Sequence, residues 1–253
     1  MKDSKEYLAK RAFFDKILTI YGRNSVVEAL RDDSLEIYKL HLSTSNQKAP
    51  VLDEIETLAK SRGVEVAYHD KKALSRISKN AKQDQGVALD IVLDSFIDED
   101  EFINTHDRYR VLILDGVNNP QNIGMIIRSA TAGNIDAIIL SKSISISPLI
   151  IKASVGTLFR MPIIKSKNLL LSIEKFKSDG ATTYTLSSHA KNSYLDENYS
   201  SKVLFVLGNE SSGVTKEIDN ICDKSIAIPM RRGVESLNVA VSASLLAFMP
   251  DSL

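Results

Sequence analysis

The chain has 253 residues, with 32 Lys plus Arg balanced by 32 Asp plus Glu, 43% hydrophobic residues and 25% charged residues. That length can bury a sizeable core in one large domain or two ordinary ones, and the composition excludes a disordered chain, a collagen-like rod and a disulfide scaffold. Cys222 is the single cysteine, which excludes an intrachain disulfide and a cysteine-rich metal site.

In chain order, Lys2, Asp3, Lys5, Glu6, Lys10 and Arg11 interrupt the opening residues, so the apolar centre of an export signal is absent. No run approaches the roughly 20 apolar residues of a membrane span, and a cytoplasmic protein without a membrane partner is expected. From Ile20 to about Leu93 strand-like and helix-like pieces alternate: a helical VVEALR after Asn24, an alternating IYKLHL, a helix over Val51 to Ser61, then VEVAYH. A basic helical piece follows over Lys71 to Lys79, and GVALDIVL from Gly86 reads as a closing strand of this small α/β unit. Lys71, Lys72, Arg76, Lys79 and Lys82 have no acid among them, whereas Asp94, Asp98, Glu99, Asp100 and Glu101 crowd the next stretch. Both runs also fit a solvated surface. The acidic segment 94–106 has the polarity of a linker, although Phe96, Ile97, Phe102 and Ile103 suggest that it packs somewhere.

Beyond it RVLILD, Arg110 to Asp115, is a short apolar run of the kind buried in a parallel sheet. Further runs stand at Ile135 to Leu140, Thr182 to Leu186, Val203 to Leu207 and Ser225 to Ile228. Helical stretches fall at about Ile123 to Thr131, Leu169 to Lys177 and Leu237 to Phe248, and this alternation predicts an α/β domain with a mostly parallel sheet.

Three segments carry the chemistry. In LDGVNNPQNIGMIIRSA, Leu114 to Ala130, a strand runs through a Gly/Asn/Pro turn into a helix, the kind of place where α/β sheets collect ligands. Arg128 falls off the apolar face of Ile123, Ile126, Ile127 and Ala130, as an ordinary surface arginine also would. KVLFVLGNESSGV, Lys202 to Val214, breaks from a strand into glycine, a carboxylate and two serines, and equally fits a helix capped by Ser211 or Ser212. SIAIPMRRGVESLNVAVSASLLAF, Ser225 to Phe248, leads into a small-residue helix suited to close packing on another helix or a partner chain. There Ser236 and Asn238 fit helix capping. The four histidines lack metal-ligand spacing, so no metal is expected, and no G-x-G-x-x-G supports a dinucleotide.

Together, NIGMIIRSA, LGNESSGV and IPM followed by ESLNVAVSAS resemble the three signature motifs of the SpoU/TrmH family of RNA ribose 2′-O-methyltransferases, in the SPOUT superfamily. KASVGTLFRMPI, Lys152 to Ile163, resembles the segment between them, and IYGRNSVVEAL and DQGVAL are similar to the family's small substrate-binding domain, a fold akin to ribosomal protein L30e. The resemblance implies a SPOUT-type parallel sheet with a deep trefoil knot after a small N-terminal α/β L30e-like domain. Its parts would be an N-terminal extension at 1–19, an RNA-binding domain at 20–93, an acidic linker at 94–106 and a catalytic domain at 107–253.

The resemblance further implies S-adenosylmethionine as cofactor, RNA as substrate, with 23S ribosomal RNA favoured over tRNA, and a homodimer paired through the knot. Carried over by position, Leu186, Gly208, Ile228 and Leu237 would contact the cofactor, while Arg128, Asn122, Glu210, Ser236 and Asn238 would form the catalytic set. A guanidinium stays protonated at neutral pH; a phosphate grip and oxyanion stabilisation therefore suit Arg128 better than a base role. Met125 and Val155 depart from the commoner small residues of the family pattern, which bears on pocket shape. Arg160, Arg231, Arg232 and the Lys71 to Lys82 run are candidate RNA grips. A tRNA 2′-O-methyltransferase and a non-catalytic RNA-binding or ribosome-assembly protein are the alternatives.

Overall fold

The computed structural model describes residues 13, 14, 16–33, 35–80, 83–93 and 96–250. Most of the expected N-terminal extension, together with Lys82 of the basic run, Asp94 of the acidic segment and residues 251–253, lies outside the described residues. The chain divides into two units, Met1–Asp94 with Ile146–Pro148, and Ser95–Ser145 with Leu149–Leu253.

In the first unit the strands β1 (Ile17–Tyr21), β2 (Glu36–Ser43), β3 (Glu65–His69) and β4 (Val87–Val92) form a sheet in the order β1-β4-β2-β3. β4 runs antiparallel to β1 and β2, while β2 and β3 are parallel. The helices are α1 (Arg23–Arg31), α2 (Pro50–Ser61) and α3 (Lys71–Ser78). Each expected element is present within a few residues. α1 and α2 pack together and bury Val26, Val27, Leu30, Leu52, Ile55 and Ala59. The Arg62 guanidinium donates to the carbonyls of Leu30 at 3.1 Å and Asp32 at 2.9 Å, filling acceptors that the end of α1 leaves open. Asp70 caps α3 by accepting from the Ala73 amide at 2.7 Å.

In the second unit eight strands form one sheet: β5 (Phe96–Ile97), β6 (Tyr109–Leu114), β7 (Ala137–Ser141), β8 (Ile163–Ser166), β9 (Thr182–Leu186), β10 (Asn192–Ser193), β11 (Lys202–Leu207) and β12 (Lys224–Ala227). Their order is β10-β12-β9-β11-β6-β7-β8-β5, and every pair is parallel. The helices are α4 (Glu99–Thr105), α5 (Pro120–Ala132), α6 (Pro148–Ser154), α7 (Leu169–Ser178), α8 (Lys216–Ile221) and α9 (Val239–Ala247). All six residues of β6 are buried, as a strand covered on both faces requires. No helix among the described residues is long and apolar enough to cross a membrane.

The acidic stretch expected as a linker is folded. β5 pairs with β8, and α4 sends a fully buried Phe102 into a cluster with Tyr109 and Phe176. Its acids face a base: Lys175 sits 2.7 Å from Asp100 and 3.7 Å from Glu99. The charges that read as a linker are the solvent side of an amphipathic helix. A second departure lies after β11, where Ser211 and Ser212 cap nothing; α8 begins at Lys216 behind Thr215, which makes no side-chain cap.

Candidate active site

Three chain segments leave the carboxyl edge of the second unit's sheet and meet there. The first follows β6. Gly116 takes φ +67° in the turn, and Asn119 caps α5 by accepting from the amides of Gln121 at 2.9 Å and Asn122 at 3.4 Å. Pro120, at the first helical position, has no amide to leave unpaired. The second segment follows β11. Asn209 and Gly213 exchange amide-to-carbonyl bonds of 3.1 and 2.8 Å and close a tight loop around Glu210. Only glycine fits at 208, since a Cβ there would lie 2.0 Å from the Gly213 carbonyl carbon and 2.1 Å from the Val214 nitrogen. The third follows β12 and ends where Asn238 caps α9, its Oδ1 accepting from the Ala240 amide at 2.8 Å.

Asn122 joins all three. Its Nδ2 donates to Glu210 Oε1, and its Oδ1 accepts from Asn238 Nδ2 at 3.1 Å. These partners stand 88 and 116 residues away in sequence. Asn122 is 8% exposed, so leaving either end of its amide unpaired would cost about 1–3 kcal/mol. Two further ties lock the first two segments: Asn209 Nδ2 donates to the Gly116 carbonyl at 3.0 Å, and Asp115 Oδ2 accepts from the Thr215 amide at 2.7 Å. Sequence reasoning did not single out Asp115, Asn119 or Asn209. The Asn-Pro pair ahead of an apolar helical pattern is the signal that could have marked Asn119 as a cap.

The residues expected to touch a cofactor gather at the same edge. Leu186 is the last residue of β9, Gly208 follows β11 and Ile228 follows β12. Those strands are neighbours, with Leu186 in register with Ile226 and Thr185 with Val206. Leu237 precedes the Asn238 cap, and Leu186, Ile228 and Leu237 are all half-buried. Apolar side chains beside strand-end amides and carbonyls suit an adenine nucleoside without phosphates, so the residues present fit S-adenosylmethionine.

Arg128 and Ser236 are not joined to this network by any hydrogen bond or ion pair among the described residues. Arg128 lies on the exposed stripe of α5 with Gln121 and Met125, roughly 9 Å along the helix from Asn122 at 1.5 Å per residue. Ser236 is exposed in the segment before α9. α9 itself crosses α5 closely: Ser244 donates to Ser129 Oγ at 2.8 Å, and a Cβ on Gly133 would lie 2.4 Å from the Ala247 carbonyl oxygen. The outer side of α9 stays apolar, with Val241 and Phe248 exposed and Leu245, Tyr194 and Leu195 lining the same shallow hollow.

Comparison with known proteins gives concordant matches. A family model described as the SpoU rRNA Methylase family matches residues 109–248, and one described as RNA 2′-O ribose methyltransferase substrate binding matches residues 19–95. The chain is 31% identical over 235 residues to a 23S rRNA (guanosine-2′-O-)-methyltransferase RlmB of Xylella fastidiosa, covering 90% of this chain and 94% of that protein. It is 32% identical over 237 residues to a putative TrmH family tRNA/rRNA methyltransferase of Staphylococcus epidermidis, covering 91% and 94%. In fold it is similar to the SpoU methyltransferase AviRb of Streptomyces viridochromogenes, solved in complex with AdoMet, with a TM-score of 0.65, 17% identity and coverage of 97% and 91%.

Proposed function

The chain belongs to the SpoU family of RNA 2′-O-methyltransferases, which use S-adenosylmethionine, and from that premise we propose that it methylates a guanosine ribose of 23S ribosomal RNA. The observation that carries this reading is the junction of Asn122, Glu210 and Asn238, which ties the three motif segments together beside the cofactor-facing edge. The 23S preference is supported by the Xylella relative, and the substrate-binding match over 19–95 supports an RNA substrate.

S-adenosylmethionine supplies an electrophilic methyl group to a hydroxyl that is a weak nucleophile until its proton leaves. Leu186, Gly208, Ile228 and Leu237 would hold the donor, since their apolar side chains and strand-end backbone suit an adenine nucleoside. Both ends of the Asn122 amide are engaged, so Asn122 positions the loops and takes no direct part in the reaction. Glu210 spends Oε1 on Asn122, which leaves Oε2, with no partner among the described residues, available to a ligand. Ser236, at the turn before Asn238, hydrogen-bonds around the reacting groups. Holding acceptor and donor in line contributes about 7–11 kcal/mol of the barrier.

Arg128 grips an RNA phosphate bidentately and stabilises the emerging alkoxide. Its outward position suits a site completed by two chains. We read the apolar outer side of α9 as the seam of a homodimer, the passage of the last strand and α9 as the implied trefoil knot, and the first unit as the L30e-like RNA-binding domain. Arg160, Arg231 and Arg232 would add RNA contacts beside the site.

The test is transfer of labelled methyl from S-adenosylmethionine to unmodified 23S, 16S and tRNA transcripts, with ribose methylation mapped on the product. Label on a 23S guanosine ribose is expected. Label on tRNA alone would favour the tRNA reading, which the relatives named tRNA/rRNA methyltransferases support. Label on none of the three would reject the function.

A further inference from the structure

The first unit contains a chain of polar groups that the methyl-transfer site does not use. Thr19 on β1, Asp90 on β4, and His41 and His69 on β2 and β3 point to one face of the sheet, as their registers require. Asp90 accepts from Thr19 Oγ1 at 2.6 Å through Oδ1, and its Oδ2 lies 3.1 Å from His41 Nε2. His41 Nδ1 lies in turn 3.0 Å from His69 Nε2. An ionised carboxylate only accepts, so His41 donates from Nε2. A neutral His41 then has no proton on Nδ1 and accepts one from His69 Nε2. The direction of the whole chain is thereby set, and His69 Nδ1 is its open end, without a partner among the described residues.

Burial grades along the same line. His41 is 6% exposed, while His69 is half-buried at the carboxyl end of β3. Next in the chain come Asp70, whose side chain is occupied in capping α3, and the exposed Lys71, Lys72 and Arg76 of that helix. On the same sheet face Lys39 is held by Glu65 at 2.6 Å, and Tyr21 accepts from Asn80 Nδ2 at 2.9 Å. A buried polar row with one end open to a basic surface is more than packing requires, since an apolar row would fill the space at no polar cost.

We propose that His69 is a phosphate contact on the RNA-binding face that takes up one proton as RNA docks, with Asp90 and His41 holding its ring in place. This rests on the reading of the first unit as RNA-binding. Burial of the ring, the largest cause, holds the free imidazole below its ordinary range, with the Lys39 ammonium adding to it and Asp70 opposing. A phosphate against Nδ1 reverses that balance. Protonation at Nδ1 comes from solvent and leaves every bond in the row intact, because His69 still donates from Nε2 and His41 still donates to Asp90. The bound state therefore has the higher pKa, and binding strengthens as pH falls through it, levelling off below the free-state value.

The experiment follows the histidine ring signals of the full-length protein from pH 8 to 5, alone and with a short synthetic RNA hairpin at low salt. With only four histidines, His69→Gln assigns its signal by loss. The His69 midpoint is expected to rise by about one pH unit on RNA binding. Wild-type affinity should accordingly gain several-fold, and at most about tenfold, between pH 8 and 5 beyond that of His69→Gln, at constant ionic strength. Glutamine still donates to His41 but does not titrate. An unmoved midpoint, or an equal pH slope in both proteins, would overturn the proposal and leave a purely structural row. Absence of hairpin binding by the wild-type protein at any pH would overturn it together with the RNA-binding reading of this unit.

Discussion

Gly208→Ala is the substitution with the sharpest expected outcome. The added methyl would sit 2.0 Å from the Gly213 carbonyl carbon, 2.1 Å from the Val214 nitrogen and 2.3 Å from the Gly213 oxygen, whereas ordinary contact begins near 3.4 Å. All three atoms are backbone, so no side chain can swing aside, and the 209–213 loop must move by over about 1 Å. Opening it loosens the two bonds between Asn209 and Gly213, at about 0.5–1.5 kcal/mol each. The protein should stay folded, with a melting point lower by several degrees. Activity should fall much further, because Glu210 rides on this loop and a displacement of about 1 Å in a positioning group can cost about 10²-fold. Methyl transfer to rRNA, cofactor binding by calorimetry and thermal unfolding measure the three effects. Gly180→Ala is the control: Gly180 has φ +89° and open space around a Cβ, so strain lowers stability while methyl transfer is retained. Turnover of Gly208→Ala within threefold of the wild type would refute the reasoning that this loop's backbone sets the site.

Arg128→Lys should lose most methyl transfer while cofactor binding persists, since a lysine keeps the charge without the bidentate geometry; near-normal turnover would reject the phosphate grip. Phe102→Ala should cost about 3–5 kcal/mol, or roughly 6–20 °C in melting point, because Phe102 is fully buried against Tyr109 and Phe176. A drop under 2 °C, about what a loss below 1 kcal/mol gives, would return the acidic segment to linker status. The Lys202 ammonium, 2.8 Å away, and the Tyr109 hydroxyl hold the Asp179 carboxyl below its ordinary range. A depressed carboxyl contributes stability above its unfolded pKa and loses it as pH falls through the folded one. The stability advantage of wild type over Asp179→Asn at pH 7, read from urea midpoints, should accordingly shrink below about pH 4; a gap that stays constant to pH 3 would contradict the assignment.

The strands of the second unit were legible where they are buried on both faces. The apolar run expected at Thr182 to Leu186 coincides with β9, and those expected at Arg110 and Val203 match β6 and β11 to within one residue. β7 begins two residues later than its apolar run suggests, because Asp136 turns the chain: its amide donates to the Arg110 carbonyl while its carboxylate accepts from the Arg110 amide. β8 and β10 are four and two residues long, too short for a periodicity to register. α4 was hidden by acids that pair with Lys175 across a gap of about 75 residues, a partnership local pattern does not reveal. At the site, the resemblance alone named Asn122 and Glu210, since nothing local distinguishes an asparagine in the first turn of a helix or a glutamate in a glycine loop.

Asn238 shows why local reasoning could be right and still incomplete. Helix capping was the alternative to a role in the site, and both hold, because a primary amide has two ends. Oδ1 caps α9, while Nδ2 reaches Asn122. Asn122 repeats the device in reverse, accepting from Asn238 and donating to Glu210. A row of amides ending in one carboxylate fixes three loops in a single sense: Glu210 accepts, so Asn122 must turn its nitrogen toward it, and its oxygen is then left for Asn238. Neither amide titrates in the physiological range, so the two amide links of this junction carry no proton switch of their own. The histidine row of the first unit has the same one-way logic, but with titratable links. On that contrast, proton uptake at His69, as proposed, would act on how RNA is held and not on the amide links that join the three motif segments.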